Sequence, residues 1–358
     1  TPPMEPAGAL YFKRTRPPVA SPPHRLTASP PRVDASPCDD VARGSQLCRR
    51  CPVRVLITGA TGTIGSALTA ALIARGDRVS VLSRDPGRAG RLLGAAVATH
   101  PWTEPTREPP PAPALDRVDA VVHLLGEQVA QRWTDAAKRR IRDSRVLSTR
   151  HLASALAVAE SSGPRVLISQ SATGYYGACG DAPLDEQAPP GDDFLAGTVV
   201  EWEREALAAA RGRRVVCTRT GVVLSPSGGA LARMLPFFRL GVGGPVAGGR
   251  QYVPWIHLDD VVGGLLHCLD DQRATGAMNL TAADPVTNAD FSRALGRALR
   301  RPAVLPVPGL ALRLLYGQMS EMVTTGQRAV PARLLGLGFD FRHPGVEAAL
   351  KDVVGRDP

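Results

Sequence analysis

The 358-residue sequence has no apolar run near the roughly 20 residues that a membrane helix needs, because Gly, Arg or Asp interrupts its apolar stretches every few positions. After residue 52 it also lacks a block of Lys and Arg interleaved with aromatic residues. Of the net charge of +10, residues 1–52 carry +4, and the rest is spread thinly over the remaining chain. We therefore predict a protein that acts in solution and binds neither a membrane nor nucleic acid.

Cysteine is scarce, with six residues in the chain, and only Cys48 and Cys51 have the spacing of a metal or redox pair. A zinc site would need a second pair, and none follows. A redox pair would follow a strand and open a helix, whereas this one precedes the first predicted strand. We interpret the pair as incidental thiols and predict no metal site. The later cysteines are typical of reduced residues in a cytoplasmic protein, which is the location that we expect.

Residues 1–52 differ in composition from the rest, with repeated Pro-Pro pairs among Arg and Ser. Such a segment buries too little apolar surface to offset its chain entropy, so we predict a disordered tail. It has no apolar core of a signal peptide. Its low acidity faintly resembles a transit peptide, and a further alternative is that the tail is not part of the functional protein.

From residue 53 onward, predicted strands and helices alternate. Short apolar runs that are followed by Gly or a polar residue are typical of buried parallel strands. Such runs occupy residues 53–58, 78–83, 118–125, 165–171 and 214–219. This order predicts an α/β fold, a Rossmann-type doubly wound parallel sheet with a small C-terminal substrate-side domain. We assign residues 53–225 to the nucleotide-binding domain. Residues 226–354 form the substrate-side region, mostly helical, which returns to the Rossmann core near 255–270.

The most informative motif is TGATGTIG at residues 58–65, directly after a predicted buried strand and before a helix. Gly59 permits the tight turn, Gly62 lets backbone N–H groups approach a pyrophosphate, and Gly65 lets helix and strand pack closely. The helix N-terminus adds partial positive charge. The cofactor-binding positions predicted from this loop are Gly59, Thr61, Gly62, Thr63, Ile64 and Gly65.

The end of the second strand favours NADP(H) over NAD(H). Sites specific for NAD place Asp or Glu here to bind the ribose 2′-hydroxyl, whereas this chain has Ser83 and Arg84. A guanidinium pairs with a 2′-phosphate, and a hydroxyl donates to it. The alternatives are that Arg84 is a solvated loop residue and that Asp85 repels a phosphate by turning inward.

Together with this loop, further motifs resemble the extended short-chain dehydrogenase/reductase superfamily. Within it, the chain is most similar to an atypical epimerase/dehydratase-like subgroup that carries a small C-terminal domain of unknown function. The resemblance covers about residues 53–354. The motifs that carry it are SATGYYG (171–177), EWE (201–203), RTGVVL (219–224), GGP (243–245), GRQ (249–251), PWIHLDD (254–260), GQR (326–328) and GF (338–339).

The resemblance implies further cofactor contacts. Leu124, Leu125 and Gly126 are expected along the adenine-ribose side, Arg145 at a cofactor phosphate and Val223 at the nicotinamide end. The leucines also fit ordinary strand core, and Arg145 also fits a helix-surface charge.

The resemblance is incomplete at the catalytic positions. Members of the superfamily transfer a hydride with a Ser or Thr, a Tyr and a Lys, the last two spaced as Y-x-x-x-K on one helix. Ser171 occupies the expected Ser position, but Leu195 and Val199 stand where Tyr and Lys are expected. We predict Ser171 with Tyr175 or Tyr176 as the catalytic group; the alternative is that both tyrosines are packing residues. We expect His257 mainly to position the sheet and the next helix; the alternative is an acid/base role together with Asp259 and Asp260. We expect Glu201 and Glu203 to be capping or solvated charges.

Two hypotheses about function follow. The first is an NADP-dependent oxidoreductase or epimerase that acts on a small polar or nucleotide-linked substrate. The second is an NADP(H)-binding regulator or sensor without turnover, which the missing Tyr and Lys favour. In either case we expect a monomer or homodimer.

Overall fold

Apolar runs in the sequence become parallel strands in the computed structural model, which describes residues 51–159 and 163–356. The predicted tail lies outside these residues, except for its last two. Within the described ranges the strands are β1 (Arg54–Thr58), β2 (Arg78–Ser83), β3 (Ala98–Pro101), β4 (Ala120–His123), β5 (Val166–Ala172), β6 (Pro183–Leu184), β7 (Arg214–Thr220), β8 (Val222–Leu224), β9 (Tyr252–Val253), β10 (Trp255–His257), β11 (Gly276–Leu280), β12 (Val286–Thr287) and β13 (Arg328–Ala329).

The helices alternate with these strands over the first two thirds of the described chain and dominate its end. They are α1 (Thr63–Ala74), α2 (Pro86–Leu93), α3 (Asp135–Val158), α4 (Phe194–Leu207), α5 (Gly229–Arg239), α6 (Leu258–Asp270), α7 (Asn288–Leu299), α8 (Gly309–Tyr316), α9 (Glu321–Thr324), α10 (Ala332–Gly336) and α11 (Val346–Gly355). None of the helices in the described ranges is both long and apolar enough to cross a bilayer.

Seven strands form the main sheet in the order β11-β7-β5-β4-β1-β2-β3. Every neighbouring pair is parallel. The chain runs outward from β1 through β2 to β3, then returns to β4 on the other side of β1. The gap between the carboxyl ends of β1 and β4 is therefore the switch point at which doubly wound sheets bind ligands. The predicted Rossmann-type fold class is confirmed.

The side chains of β1 alternate between two apolar layers, as the pleat of a strand requires. Val55 and Ile57 pack in the layer that includes Leu68 of α1 and Leu265 of α6. Leu56 packs in the opposite layer with the helices α3 and α4. Because β1 is buried on both faces, its central residues 55–57 are all apolar instead of alternating with polar ones.

The chain after residue 225 contributes to the sheet as well as to the C-terminal region. The strand β11 pairs with β7 at the sheet edge, and α6 packs against α1. A separate apolar cluster joins α5, α7 and α11 around Phe238, Phe291 and Leu350. The boundary predicted at residue 225 stays a prediction.

Two strands of the main sheet, β3 and β11, were not predicted from the sequence. Each is short, and β11 carries the buried polar residue Asn279, so neither has the apolar run of a central strand. The Pro-rich composition of residues 103–113 predicts a surface loop. They follow Trp102, which is buried, and end within a short 3₁₀ segment at Ala112–Leu115.

Candidate functional site

The glycine-rich loop between β1 and α1 forms an open cradle. Gly59 has a φ of +70°, and a Cβ on it would lie 2.7 Å from Leu124 O. Gly62 caps α1 without a side-chain hydrogen bond. Since the first-turn N–H groups of a helix have no partner inside the helix, those of Thr63 and Ile64 are available to a ligand. A Cβ on Gly65 would lie 2.4 Å from Gly59 O, so only glycine lets α1 approach the loop this closely.

A cleft of about 570 Å³ opens beside this loop at the switch point. That volume is in the range of small-molecule sites. Eight predicted cofactor residues line it: Gly59, Thr61, Gly62, Ser83, Arg84, Leu124, Leu125 and Gly126. Five do not line it: Thr63, Ile64, Gly65, Arg145 and Val223. The lining also includes residues 102–107 and Ser144, which the sequence did not indicate.

At the end of β2, Arg84 is an exposed cation, and no hydrogen bond or ion pair engages its guanidinium within the described ranges. Asp85 does not turn toward the cleft to oppose it. Its Oδ1 accepts from the N–H of Arg88 at 2.9 Å and so caps α2. Ser83 Oγ interacts with the backbone of Asp85 at 3.0 Å. The strand end therefore presents a free guanidinium without a competing carboxylate from its own turn.

Arg145 of α3 lies beside the other end of the cleft. A Cβ on Gly126 would lie 3.0 Å from Arg145 Cζ, so this glycine makes room for the guanidinium. Arg145 Nη1 donates to Ile141 O at 3.0 Å, and the guanidinium faces the Trp202 ring at 5.4 Å. Burial lowers the pKa of Arg145 to about 10, against the opposing effect of Glu127. No carboxylate of the described residues forms an ion pair with this side chain, which leaves its charge for an anion.

Val223 lies in β8, whose parallel partner is β10, and its side chain packs on the layer that contains Leu68. The chain after β8 then passes over the glycine-rich loop. A Cβ on Gly228 would lie 2.3 Å from Thr63 Oγ1. The start of α5 is thus in close contact with Thr63, where the glycine-rich loop enters α1, a contact that the sequence did not indicate.

Ser171 at the end of β5 belongs to a buried polar network rather than to the cleft wall. The residue is 1% exposed, and its Oγ donates to Glu203 Oε1 at 2.5 Å. Arg219 of β7 completes the network, since its Nε and Nη2 donate to the two oxygens of Glu203 at 2.8 and 2.9 Å. Burial would lower the pKa of Arg219, but the bonds with Glu203 outweigh it and raise that pKa.

Glu203 was predicted from the sequence to be a capping or solvated charge, and the structure places it in the interior instead. Its neighbour Glu201, two residues earlier on α4, remains half-buried and pairs with Arg142. The two differ because a spacing of two residues turns them to different faces of a helix. A buried carboxylate needs a partner of opposite charge. Arg219 lies in a different predicted element from Glu203, so only the assembled sheet identifies Arg219 as that partner.

The two predicted tyrosines both contact Arg219 but differ in exposure. Tyr176 is fully buried, and its hydroxyl lies 2.7 Å from Asn279 Oδ1 and accepts from Arg219 Nη1 at 3.1 Å. Burial raises the pKa of Tyr176, although Arg219 opposes it. Tyr175 is half-buried, and the Arg219 guanidinium lies 3.4 Å from its ring centroid. Tyr175 is therefore the more accessible phenol.

Apolar side chains occupy the expected Tyr and Lys positions on α4. Val199 is buried in the helix interface, and Leu195 packs against the turn of Tyr175, since a Cβ on Gly174 would lie 3.5 Å from Leu195 Cβ. Leu195 thus fills space beside the candidate phenol without offering a proton-transfer group.

His257 caps α6, because its Nδ1 accepts from the N–H of Asp259 at 3.0 Å. Its ring stacks on His343 with the ring centroids 3.7 Å apart. These three residues bring their donor atoms within 4.8 Å of one another. Asp259 is ion-paired with Arg356 at 2.9 Å, so a cation already neutralises it. The predicted absence of a metal stays a prediction.

Two segments of the chain match known protein families. Residues 55–280 match the NAD dependent epimerase/dehydratase family, and residues 307–353 match a domain of unknown function, DUF1731. An epimerase family protein of Mycobacterium bovis is 43% identical over 300 residues, which cover 83% of this chain and 96% of the relative. The human epimerase family protein SDR39U1 is 38% identical over 307 residues, 84% of this chain and 100% of the relative.

A plant relative, the Arabidopsis thaliana SDR39U1 homolog, is described as chloroplastic and is 37% identical over 301 residues, 84% of this chain and 86% of the relative. The predicted cytoplasmic location stays a prediction, as does the predicted monomer or homodimer.

Solved structures agree with the family matches. The crystal structure of human SDR39U1 with NADPH has a TM-score of 0.75 at 36% identity and covers 85% of this chain and 100% of that one. A nucleoside-diphosphate sugar epimerase from Corynebacterium glutamicum has a TM-score of 0.67 at 34% identity, covering 85% of this chain and 58% of that one. These matches confirm the resemblance drawn from the sequence motifs, and the chain is a member of the NAD dependent epimerase/dehydratase family.

Proposed function

We propose that this protein binds NADP(H) and uses it to reduce a small polar or nucleotide-linked carbonyl substrate. The observation that carries the cofactor assignment is the free guanidinium of Arg84 in the same cleft as the uncapped N-terminus of α1. The human relative crystallised with NADPH supports the same assignment. The relative from Corynebacterium glutamicum described as a nucleoside-diphosphate sugar epimerase supports a nucleotide-linked substrate.

The residues fit the dinucleotide at both charged positions. The first-turn N–H groups of α1 and the Arg145 guanidinium suit the pyrophosphate, while Ser83 and Arg84 suit a 2′-phosphate. Each of these groups lacks a carboxylate partner in the described chain. NADPH, when bound, supplies a hydride to an electrophilic carbon.

The protein's own contribution to the chemistry is a proton donor at the end of β5. The hydroxyl of Tyr176 is occupied by Arg219 and Asn279, and Ser171 donates to Glu203. Tyr175 remains as the phenol that gives its proton to the substrate oxygen as the carbonyl becomes an alcohol. Without an adjacent Lys, a phenol acts more readily as an acid than as a base at neutral pH, so we expect slow turnover that favours reduction.

The second candidate function is an NADP(H) sensor without turnover. It is favoured by Leu195 and Val199, which leave α4 without a proton-transfer group, and by the burial of Ser171. In this case the bound cofactor would alter the contacts of α5, which already touches the glycine-rich loop at Thr63.

The cofactor assignment is tested by titrating NADPH and NADH and following protein fluorescence. We expect NADPH to bind roughly tenfold to a hundredfold more tightly, the effect of one charge-assisted contact of ~1.5–3 kcal/mol. Arg84→Ala should abolish most of this preference. Arg78→Ala is the matched control, since it removes the same charge at the start of β2. Equal affinities of the wild type for both cofactors would refute the assignment.

Turnover is tested by following NADPH absorbance with a panel of carbonyl compounds and nucleotide-linked sugars. Tyr175→Phe should lower the rate by ~10²–10⁴ and leave NADPH affinity intact. Wild-type rates in Tyr175→Phe would place the proton donor elsewhere. If the wild type binds NADPH but reduces nothing in the panel, the sensor is the better assignment.

A further inference from the structure

Residues 102–107, which follow β3, form a further wall of the cleft beside the glycine-rich loop and the end of β2. It starts directly beside Ser83, because the N–H of Trp102 donates to Ser83 O at 2.9 Å. Residues 102–107 then line the cleft together with Arg84. The segment therefore borders the same corner that we assign to the 2′-phosphate.

The segment is a fixed turn. The N–H groups of Arg107 and Glu108 donate to Glu104 O at 2.9 and 3.0 Å. The Trp102 indole Nε1 donates to Glu108 O at 2.9 Å, and its ring is 2% exposed. These bonds hold the backbone of the turn, so its side chains project from a constant position.

Arg107 and Glu104 face each other on this turn. Arg107 Nη1 lies 3.1 Å from Glu104 Oε2, and the two side chains are 76% and 51% exposed. Exposed ion pairs of this kind contribute little to stability, because water screens both charges. The arginine is therefore free to exchange Glu104 for a stronger anion at small cost.

We propose that Arg107 is a second determinant of NADP(H) preference, and that Glu104 is its competing partner. A 2′-phosphate carries more charge than a carboxylate and accepts hydrogen bonds from a guanidinium in bidentate geometry. When it binds beside Ser83 and Arg84, Arg107 pairs with the phosphate. NADH has only a hydroxyl at this position and leaves the Arg107–Glu104 pair intact. This inference rests on the proposed NADP(H) binding.

The proposal assigns opposite effects to the two partners of one ion pair. Removing Arg107 takes a cation away from the phosphate and weakens NADPH binding. Removing the charge of Glu104 frees Arg107 and also removes an anion from the cleft wall, which strengthens NADPH binding. If the pair only held the turn in place, both substitutions would have the same effect.

The test measures equilibrium affinities of NADPH and NADH for the full chain by fluorescence titration. We expect Arg107→Ala to weaken NADPH about tenfold and Glu104→Gln to strengthen it about threefold, with NADH unchanged in both variants. Arg78→Ala and Glu108→Gln are the matched controls. The first removes a charge at the start of β2, at the opposite end of that strand from Ser83. The second removes one beside the turn but outside the cleft lining.

Three outcomes would overturn the proposal and leave the cofactor assignment intact. In the first, the wild type prefers NADPH and Arg107→Ala keeps the full preference. In the second, Glu104→Gln loses as much NADPH affinity as Arg107→Ala does, and in the third, the affinity for NADH changes as much as the affinity for NADPH. A wild type without any preference for NADPH would instead refute the proposed function itself. Thermal melting of each variant excludes a loss of fold as the cause.

Discussion

Ser171 Oγ and Glu203 Oε1 lie 2.5 Å apart in the interior, where a strand end of the main sheet meets the helix α4. The same carboxylate takes two bonds from Arg219, so one buried charge pair links β5, α4 and β7. Ser171, which the sequence predicts as part of the catalytic group, is therefore linked through Glu203 to a buried ion pair. This ties the position of the Tyr175 turn to the packing of α4.

The Glu203–Arg219 pair should be required for stability but replaceable as a unit. Glu203→Leu leaves the buried guanidinium of Arg219 without a carboxylate partner and should lower the free energy of unfolding by about 3–5 kcal/mol. The double variant Glu203→Leu with Arg219→Met should lose clearly less than the sum of the two single losses, because no unpaired charge remains. Ser171→Ala should lose about 1 kcal/mol. Urea unfolding measures the two single variants Glu203→Leu and Arg219→Met, the double variant, and Ser171→Ala. Additive losses in the double variant would show that the two residues of the pair are not coupled.

Gly65 should tolerate no side chain, whereas another helical glycine should. A Cβ on Gly65 would lie 2.4 Å from Gly59 O, and neither backbone segment can move without opening the cofactor loop. Gly65→Ala should therefore lower stability by ~1–3 kcal/mol and weaken NADPH binding. Gly197→Ala is the control, because no atom lies within 4 Å of its Cβ position on α4.

The control variant should gain up to about 1 kcal/mol, since alanine favours a helix over glycine. Melting temperature and NADPH titration report both effects. Equal behaviour of the two variants would contradict the close approach of α1 to the loop.

His123 should make the protein less stable as the pH falls below neutrality. It is buried at the end of β4 with its Nδ1 2.7 Å from Thr58 Oγ1, and burial lowers its pKa from 6.5 to about 4. Below pH 6.5, His123 is therefore protonated in the unfolded chain while it stays neutral in the folded state. This contribution to stability is complete above 6.5 and is lost progressively down to about 4, by about 3 kcal/mol in total.

Urea unfolding between these pH values should show a shallower acid slope in His123→Gln than in the wild type. His151→Gln, on α3, serves as the control and should keep the wild-type slope. An unchanged slope in His123→Gln would mean that other groups produce the acid sensitivity.

The parts of the site that could be predicted from the sequence are those that a single turn determines. The spacing of Gly59, Gly62 and Gly65 predicts a tight loop that leaves N–H groups free at the start of α1, and the residues at the end of β2 lie next to that loop in any sheet of this class. The strand β2 was predicted with its observed bounds, because its own run of apolar residues marks it. The edge strand β11 was missed because pairing with β7, rather than its own composition, keeps it extended.

The turn at residues 102–107 is a part of the cleft that could not be predicted from the sequence. The Pro-rich composition of residues 103–113 predicts a surface loop, and seven of these eleven residues are exposed. Composition does not say which surface a loop borders. The bond from Trp102 N–H to Ser83 O holds the start of this segment beside the end of β2, and residues 102–107 thereby line the cleft next to the glycine-rich loop.

The sequence by itself determined the fold class, the glycine-rich cradle and the absence of Tyr and Lys on α4, because each depends on local backbone geometry or on residue identity. Only the tertiary structure decided the environment of the polar groups at the strand ends. Glu203 follows Ser171 by 32 positions, and its charge is tolerable in the interior only because Arg219 meets it there. Burial penalises a lone charge and rewards a paired one, and which residues become partners is set by how helices and strands far apart in the chain come to lie side by side.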